Sequence, residues 1–142
     1  MARMLDLIDR LTTVLYDAAT AGTIALPGGV VQYVPDEQAG MAYPFVAIEI
    51  NEEEPGEAAK QNWTGSMRIG CYTTYADPAR LQYVAVELAH KVLQVIGANG
   101  SWTHSGVTLL PRGISYGVVR RDSGPLGAAI IRFECKYHEA VF

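Results

Sequence analysis

Cysteine is nearly absent from this 142-residue chain: Cys71 and Cys135 are the only two. Each sits in a segment whose apolar residues alternate, so two buried free thiols in a reducing compartment are expected, with no disulfide framework. Long hydrophobic runs are missing too; no unbroken apolar stretch approaches the roughly 18–20 residues of a membrane span. The opening Met1-Ala2-Arg3-Met4-Leu5-Asp6 leads into acid, not into an apolar signal-peptide core, which predicts a chain that is not secreted. Asn62-Trp63-Thr64 fits a glycosylation acceptor, and without a signal peptide the match is accidental. There is no basic excess: eleven Lys and Arg stand against fifteen Asp and Glu, a formal net charge of −4. A protein that grips a phosphate backbone carries a basic stripe. Here the only adjacent basic pair is Arg120-Arg121, which disfavours DNA gripping but not a role beside sliding DNA.

Spacings that support catalysis or metal binding are also lacking. His90, His104 and His138 are scattered, with no His-x-x-x-His and no Cys-x-x-Cys, so no metal site is expected and all three read as solvated. A triad of Ser101 or Ser105 with His104 has no nucleophile-elbow pattern around it. Gly97-Ala98-Asn99-Gly100-Ser101 is glycine-rich but follows a helix, whereas a phosphate-cradling loop follows a strand and opens a helix. No cofactor is expected.

What is present is apolar: hydrophobic residues make up 49% of the chain and charged ones 18%, which excludes a disordered tail, a collagen-like fibre and a coiled coil. One domain spanning residues 1–142 can bury roughly 68–70% of the unfolded surface, enough for a core without metal or disulfide.

Residues 3–21 predict an amphipathic helix: Arg3, Asp6, Asp9, Arg10, Thr13, Asp17 and Thr20 share an arc of about 120°, with Met4, Leu7, Ile8, Leu11, Val14, Leu15 and Ala18 opposite and Gly22 as the stop. Residues 30–34 predict a short strand, 35–44 a loop, and 45–51 a half-buried strand with Val46, Ile48 and Ile50 on one face. Residues 52–62 are acidic with Pro55-Gly56 inside, an exposed loop or a long hairpin tip. Residues 63–75 form the next strand, with Met67, Ile69, Cys71 and Thr73 on one face. Asp77-Pro78 suits an N-cap followed by N1, opening a helix to about Ile96 with Gly97 at C′. Its stripe is Leu81, Val84, Ala85, Leu88, Val92, Val95 and Ile96. Val86 and Leu93 lie about 120–140° from the stripe's centre and are either a second packing surface or a contact with a neighbouring subunit. Residues 98–106 predict a loop, 107–110 and 114–122 strands interrupted by Pro111-Arg112-Gly113, and 123–127 a turn. The last strand alternates fully, with Ile131, Phe133, Cys135 and Tyr137 against Arg132, Glu134, Lys136 and His138. The fold class predicted is α+β: an antiparallel, at most mixed, sheet with two main helices packed on one face.

Four features in order carry a family resemblance: the N-terminal amphipathic helix; Tyr43-Pro44-Phe45-Val46-Ala47-Ile48; Trp63-Thr64-Gly65-Ser66-Met67-Arg68-Ile69 leading through Tyr72 to Tyr75; and Asp77-Pro78-Ala79 opening a helix that ends Val92-Leu93-Gln94-Val95-Ile96-Gly97. In this order the chain resembles the tail-terminator (tail-completion, or head–tail joining) proteins of long-tailed bacteriophages. The resemblance implies a structural virion protein and not an enzyme. It would be the subunit of a homo-oligomeric ring, typically hexameric, that is assembled in the host cytoplasm and stacks on the last ring of the tail tube protein. That ring would stop tube growth, meet the head connector or neck protein, and let DNA pass through its bore. Val86 and Leu93 then become lateral-contact candidates. Arg120 and Arg121 become partners for acids of a neighbouring subunit, or remain a solvated pair. Glu52, Glu53, Glu54 and Glu57 either form a solvated loop or face a stacked ring or the bore. The alternative is a small α+β oligomeric enzyme or ligand-binding domain with an inter-subunit pocket.

Overall fold

A computed structural model describes residues 3–32, 42–56, 62–74, 78–98, 102–120 and 124–138. The first apolar stripe forms helix α1 (Arg3–Thr20), which buries Met4, Leu7, Ile8, Leu11, Val14 and Leu15. Its end is a Schellman turn: Thr23 N–H donates to the Ala18 carbonyl at 2.9 Å and Gly22 N–H to that of Ala19 at 3.2 Å. Gly22 takes φ +82°, a conformation that favours glycine, and so serves as the predicted stop.

The strands are β1 (Val30–Val31), β2 (Phe45–Pro55), β3 (Asn62–Thr73), β4 (Thr103–His104), β5 (Val107–Val119) and β6 (Leu126–His138). Helix α2 (Leu81–Ala98) follows β3. The strands form one sheet in the order β1-β2-β3-β6-β5-β4, with every pair antiparallel except β1–β2. The fold is thus α+β with a mixed sheet. Both helices pack on one sheet face, where Val46, Ile48, Met67, Ile69, Cys71, Ala129, Ile131, Phe133 and Cys135 meet the buried stripes of α1 and α2. The two cysteines are buried and unpaired, and burial pushes each thiol up to about 12.

Several local expectations are corrected. The break expected at Pro111-Arg112-Gly113 is a bulge. β5 runs unbroken, Pro111 faces Phe133, Gly113 faces Arg132, and Arg112 is the extra residue. A second bulge places Asn51 between Ile50, opposite Met67, and Glu52, opposite Ser66. β2 therefore continues to Pro55, and Glu52 to Glu54 are strand residues near the end of a long β2–β3 hairpin, the second of the two expected forms, and not an exposed loop. The expected turn at 123–127 gives way to strand from Leu126. The long loop at 98–106 contains the short hairpin strand β4.

Helix α2 starts one turn late, after a 3-10 turn at Pro78–Arg80, and runs past Ile96 to Ala98. Gly97 is therefore inside the helix and not at C′. Its missing side chain makes room for Trp102, whose Cζ2 would lie 2.6 Å from an added Cβ. The solvated reading of His104 also fails. The ring is buried, 3% exposed, with Nε2 3.0 Å from the Ile96 carbonyl oxygen. A carbonyl only accepts, so Nε2 carries the proton and caps the C-terminal end of α2. Val34, Tyr75 and Asp77 lie outside the described residues.

Candidate functional site

The face of the sheet away from the helices divides into two halves. One half is apolar: Phe45, Ala47, Tyr72, Leu126 and Ala128 form a buried cluster with Val31, Tyr43 and Ile130 beside it. Phe45 stacks on Tyr72 with ring centroids 5.0 Å apart and lies 5.4 Å from Tyr43. Burial raises the Tyr72 phenol above its ordinary range, and the Glu49 carboxylate adds to the rise.

The other half carries charge in rows across the strands. Glu49 stands opposite Arg68, and Arg68 opposite Arg132; Ser66 lies between Glu52 and Glu134; Thr64 lies between Glu54 and Lys136. Arg68 Nε reaches Glu49 Oε1 at 3.3 Å. The bulge turns Arg112 toward Glu134, whose Oε2 accepts from Nη2 at 2.8 Å and Nε at 3.1 Å, while Lys136 Nζ lies 3.6 Å from Oε1. The hydrogen bond from Arg112 holds the Glu134 carboxyl below the usual range, against partial desolvation. Glu52, Glu54, Arg112, Arg132 and Glu134 line a depression of about 320 Å³. Arg132 and the carboxylates of Glu52 and Glu54 make no ion pair among the described residues.

The acidic run does not share one face. The bulge at Asn51 sends Glu52 and Glu54 to the charged face and Glu53 to the helix side, where Tyr137 O–H donates to its carboxylate. Tyr137 also stacks with Trp63, centroids 6.3 Å apart. Glu57 lies outside the described residues, as does Arg121; Arg120 is exposed at the end of β5. On α2, Leu93 is half-buried and packs against the main core, while Val86 is half-buried outside it. The structure thus groups Glu52 and Glu54 with the ion-paired ladder and keeps Val86 and Leu93 apart from it.

Sequence reasoning missed Arg112, Arg132, Glu134 and Lys136 as members of this surface. The strict alternation of β6 already put three of them on one face, but pairing with β5 and β3 was needed to see the ladder. A groove of about 470 Å³ between the helices, lined by Arg10, Val14, Asp17, Lys91, Gln94 and Val95, opens to solvent. Among the described residues no cluster of His, Cys, Asp and Glu could hold a metal ion, and no helix is long and apolar enough to cross a membrane. No protein-family model matches the chain, and no curated protein matches it.

Proposed function

We propose that this chain is a tail-terminator protein of a long-tailed bacteriophage. As one wedge of a ring, typically hexameric, it caps the tail tube, meets the head connector and lets DNA pass through the bore. The observation that carries the reading is the two-sided sheet. Helices seal one side, and strands that reach beyond the apolar cluster bear a ladder of paired charges on the other. Such a wall suits passage of a polyanion. Three of its cations, Arg68, Arg112 and Lys136, are held by carboxylates of the same sheet, and Glu52 and Glu54 add negative charge beside them.

In this reading the chain acts by shape, without a catalytic residue or cofactor, and is found in the virion at the head–tail junction. Val86 and Leu93 supply lateral contact, and Arg120 and Arg121 meet acids of the next subunit. A heterologous contact that closes by rotation yields the ring.

Sedimentation and negative-stain imaging of the purified protein, alone and with tail tubes, test the reading. Annular particles that seat on tube ends are the expected result. A monomer that stays monomeric beside tubes, or a compact dimer that binds a small molecule in the groove between the helices, overturns it. Val86→Glu is preferred to a change at Leu93 because Leu93 also supports the core; it should weaken the ring and leave the monomer folded.

A further inference from the structure

Among the described residues, the two outer strands of the sheet are paired for only part of their length. β1 pairs with Val46 and Ala47 of β2, and among the described residues no strand pairs with that edge from Ile48 to Pro55. β4 pairs with Val107 and Thr108 of β5, Leu109 N–H donates to the Trp102 carbonyl, and among the described residues no strand pairs with the edge beyond it to Val119. A long uncovered edge is a template for another strand. Pro111 and the Arg112 bulge blunt the middle of β5, but Gly113 to Val119 contains neither proline nor lysine. Tyr116, Val118 and Val119 on it are exposed at 37%, 47% and 42%.

We infer that these edges pair with each other between copies, so that Gly113–Val119 of one subunit adds antiparallel to the Ile48–Pro55 edge of the next. This rests on the ring reading above and says how the ring closes. Charge selects the partner. β2 from Phe45 to Pro55 holds Glu49, Glu52, Glu53 and Glu54 with no Lys or Arg, while β5 through Arg120 holds Arg112 and Arg120 with no Asp or Glu. Two β2 edges side by side would set Glu against Glu, a destabilising arrangement.

Direction and offset agree with this pairing. β2, β3, β6 and β5 alternate in direction, so cyclic repetition brings β5 antiparallel to the next β2. The uncovered stretches lie at diagonally opposite corners: Tyr116 is level with Ala129, Cys71 and Val46, whereas the open part of β2 begins two residues beyond Val46. The next subunit must therefore be offset along the strands. Only an even offset keeps the helix side continuous, since one step exchanges the faces. Four steps put Tyr116 opposite Ile50 and Ser115 opposite Glu52; six steps put them opposite Glu53 and Glu54. With about 3.3 Å per residue and four strands about 4.8 Å apart, these offsets tilt the strands by about 35° and 46°. Closed sheets adopt about 35–45°.

Disulfide trapping tests the pairing. Chains carrying Ser115→Cys with Glu52→Cys, or Ser115→Cys with Glu54→Cys, are oxidised at protein concentrations where the oligomer forms. Opposed strand residues lie within disulfide reach, and the buried native thiols leave the wild type as a blank. One of the two double variants should give a cross-linked ladder ending at the ring number, on the order of tenfold above either single variant. The variant that links reports the offset. Cross-linking by Ser115→Cys alone would mean symmetric β5–β5 pairing and overturns the inference. An annular particle that traps neither pair overturns the inference and leaves the ring reading standing. A cross-linked ladder from open chains without annuli supports the edge pairing and overturns the terminator reading. A folded, strictly monomeric protein overturns both.

Discussion

Replacing His104 by Leu should be among the costly single changes outside the aliphatic core. The ring is 3% exposed, and Nε2 donates to the Ile96 carbonyl at 3.0 Å. That carbonyl belongs to the last turn of α2, where helix geometry provides no internal donor. Leucine fills similar space but cannot donate, so a buried acceptor loses its partner. Leaving such a group unsatisfied costs about 1–3 kcal/mol, or roughly 4 °C of melting temperature for each kcal/mol in a domain of this size. Urea unfolding monitored by circular dichroism gives the difference directly. His104→Gln keeps an N–H near the same place and should recover part of the loss. His90→Leu, on an exposed position of α2, should stay within about 0.5 kcal/mol of the wild type. If His104→Leu unfolds at the wild-type midpoint, or if His90→Leu costs as much, the capping argument fails.

Three other outcomes follow from the same geometry. Because the Arg112 hydrogen bond lowers the Glu134 pKa, that pair's contribution is full above the ordinary carboxylate range and fades as pH falls through the lowered value. An NMR titration of Arg112→Gln should show the Glu134 midpoint moving up, and an unmoved midpoint refutes the link. Burial raises both thiols from 9.0 to about 12. Their folded-state advantage is therefore full below pH 9 and is lost as pH climbs from 9 toward 12. A thiol reagent at pH 8 should label Cys71 and Cys135 only after denaturation; prompt labelling of the native chain refutes the packing described. Glu49→Gln combined with Glu134→Gln frees Arg68, Arg112 and Lys136 from their carboxylates. It should strengthen DNA binding and steepen its salt dependence. An unchanged salt slope would show that these pairs do not restrain the cations.

Periodicity made much of this fold legible. The stripe of α1 and the alternation of β6 each specify which side is buried, because one covered face leaves a clean period. What it hid were places where that condition breaks. Leu126, Ala128 and Ile130 are apolar on the side opposite Ala129 and Ile131 because a second cluster forms there, so clean alternation begins only at Ile131, and Leu126 and Gly127 read as part of the turn opened by Ser123-Gly124-Pro125. Arg112 and Asn51 each add one residue to a strand, and an added residue shifts the period as a strand break would. Gly97 carries a helix-stop signature, yet its lack of a side chain serves Trp102. His104 looked like a loop residue because nothing local indicates that the preceding helix end will fold back over it. The charged ladder was half legible for a similar reason: β6 displays its own polar face, but the partners come from strands whose registers bulges have reset.

Those two bulges occur at one level of the sheet. Ile50, Met67, Phe133 and Pro111 form a row across β2, β3, β6 and β5, and the extra residues flank it from opposite sides, Asn51 toward the Ser66–Glu134 level and Arg112 toward the Arg68–Arg132 level. A bulge bends its strand and increases local twist, so β2 and β5 each bend where they flank this row. On the non-helix face the Glu49–Arg68 pair lies between the apolar cluster and this row, and Glu134 with Lys136, Glu52 and Glu54 lies beyond it. The Asn51 bulge also decides which acids reach the ladder, because without it Glu53 would take the face that Glu52 and Glu54 now occupy. One extra residue in β2 therefore selects the acids of this face and one in β5 turns Arg112 to Glu134, so the two bulges together set the electrostatic character of its outer half.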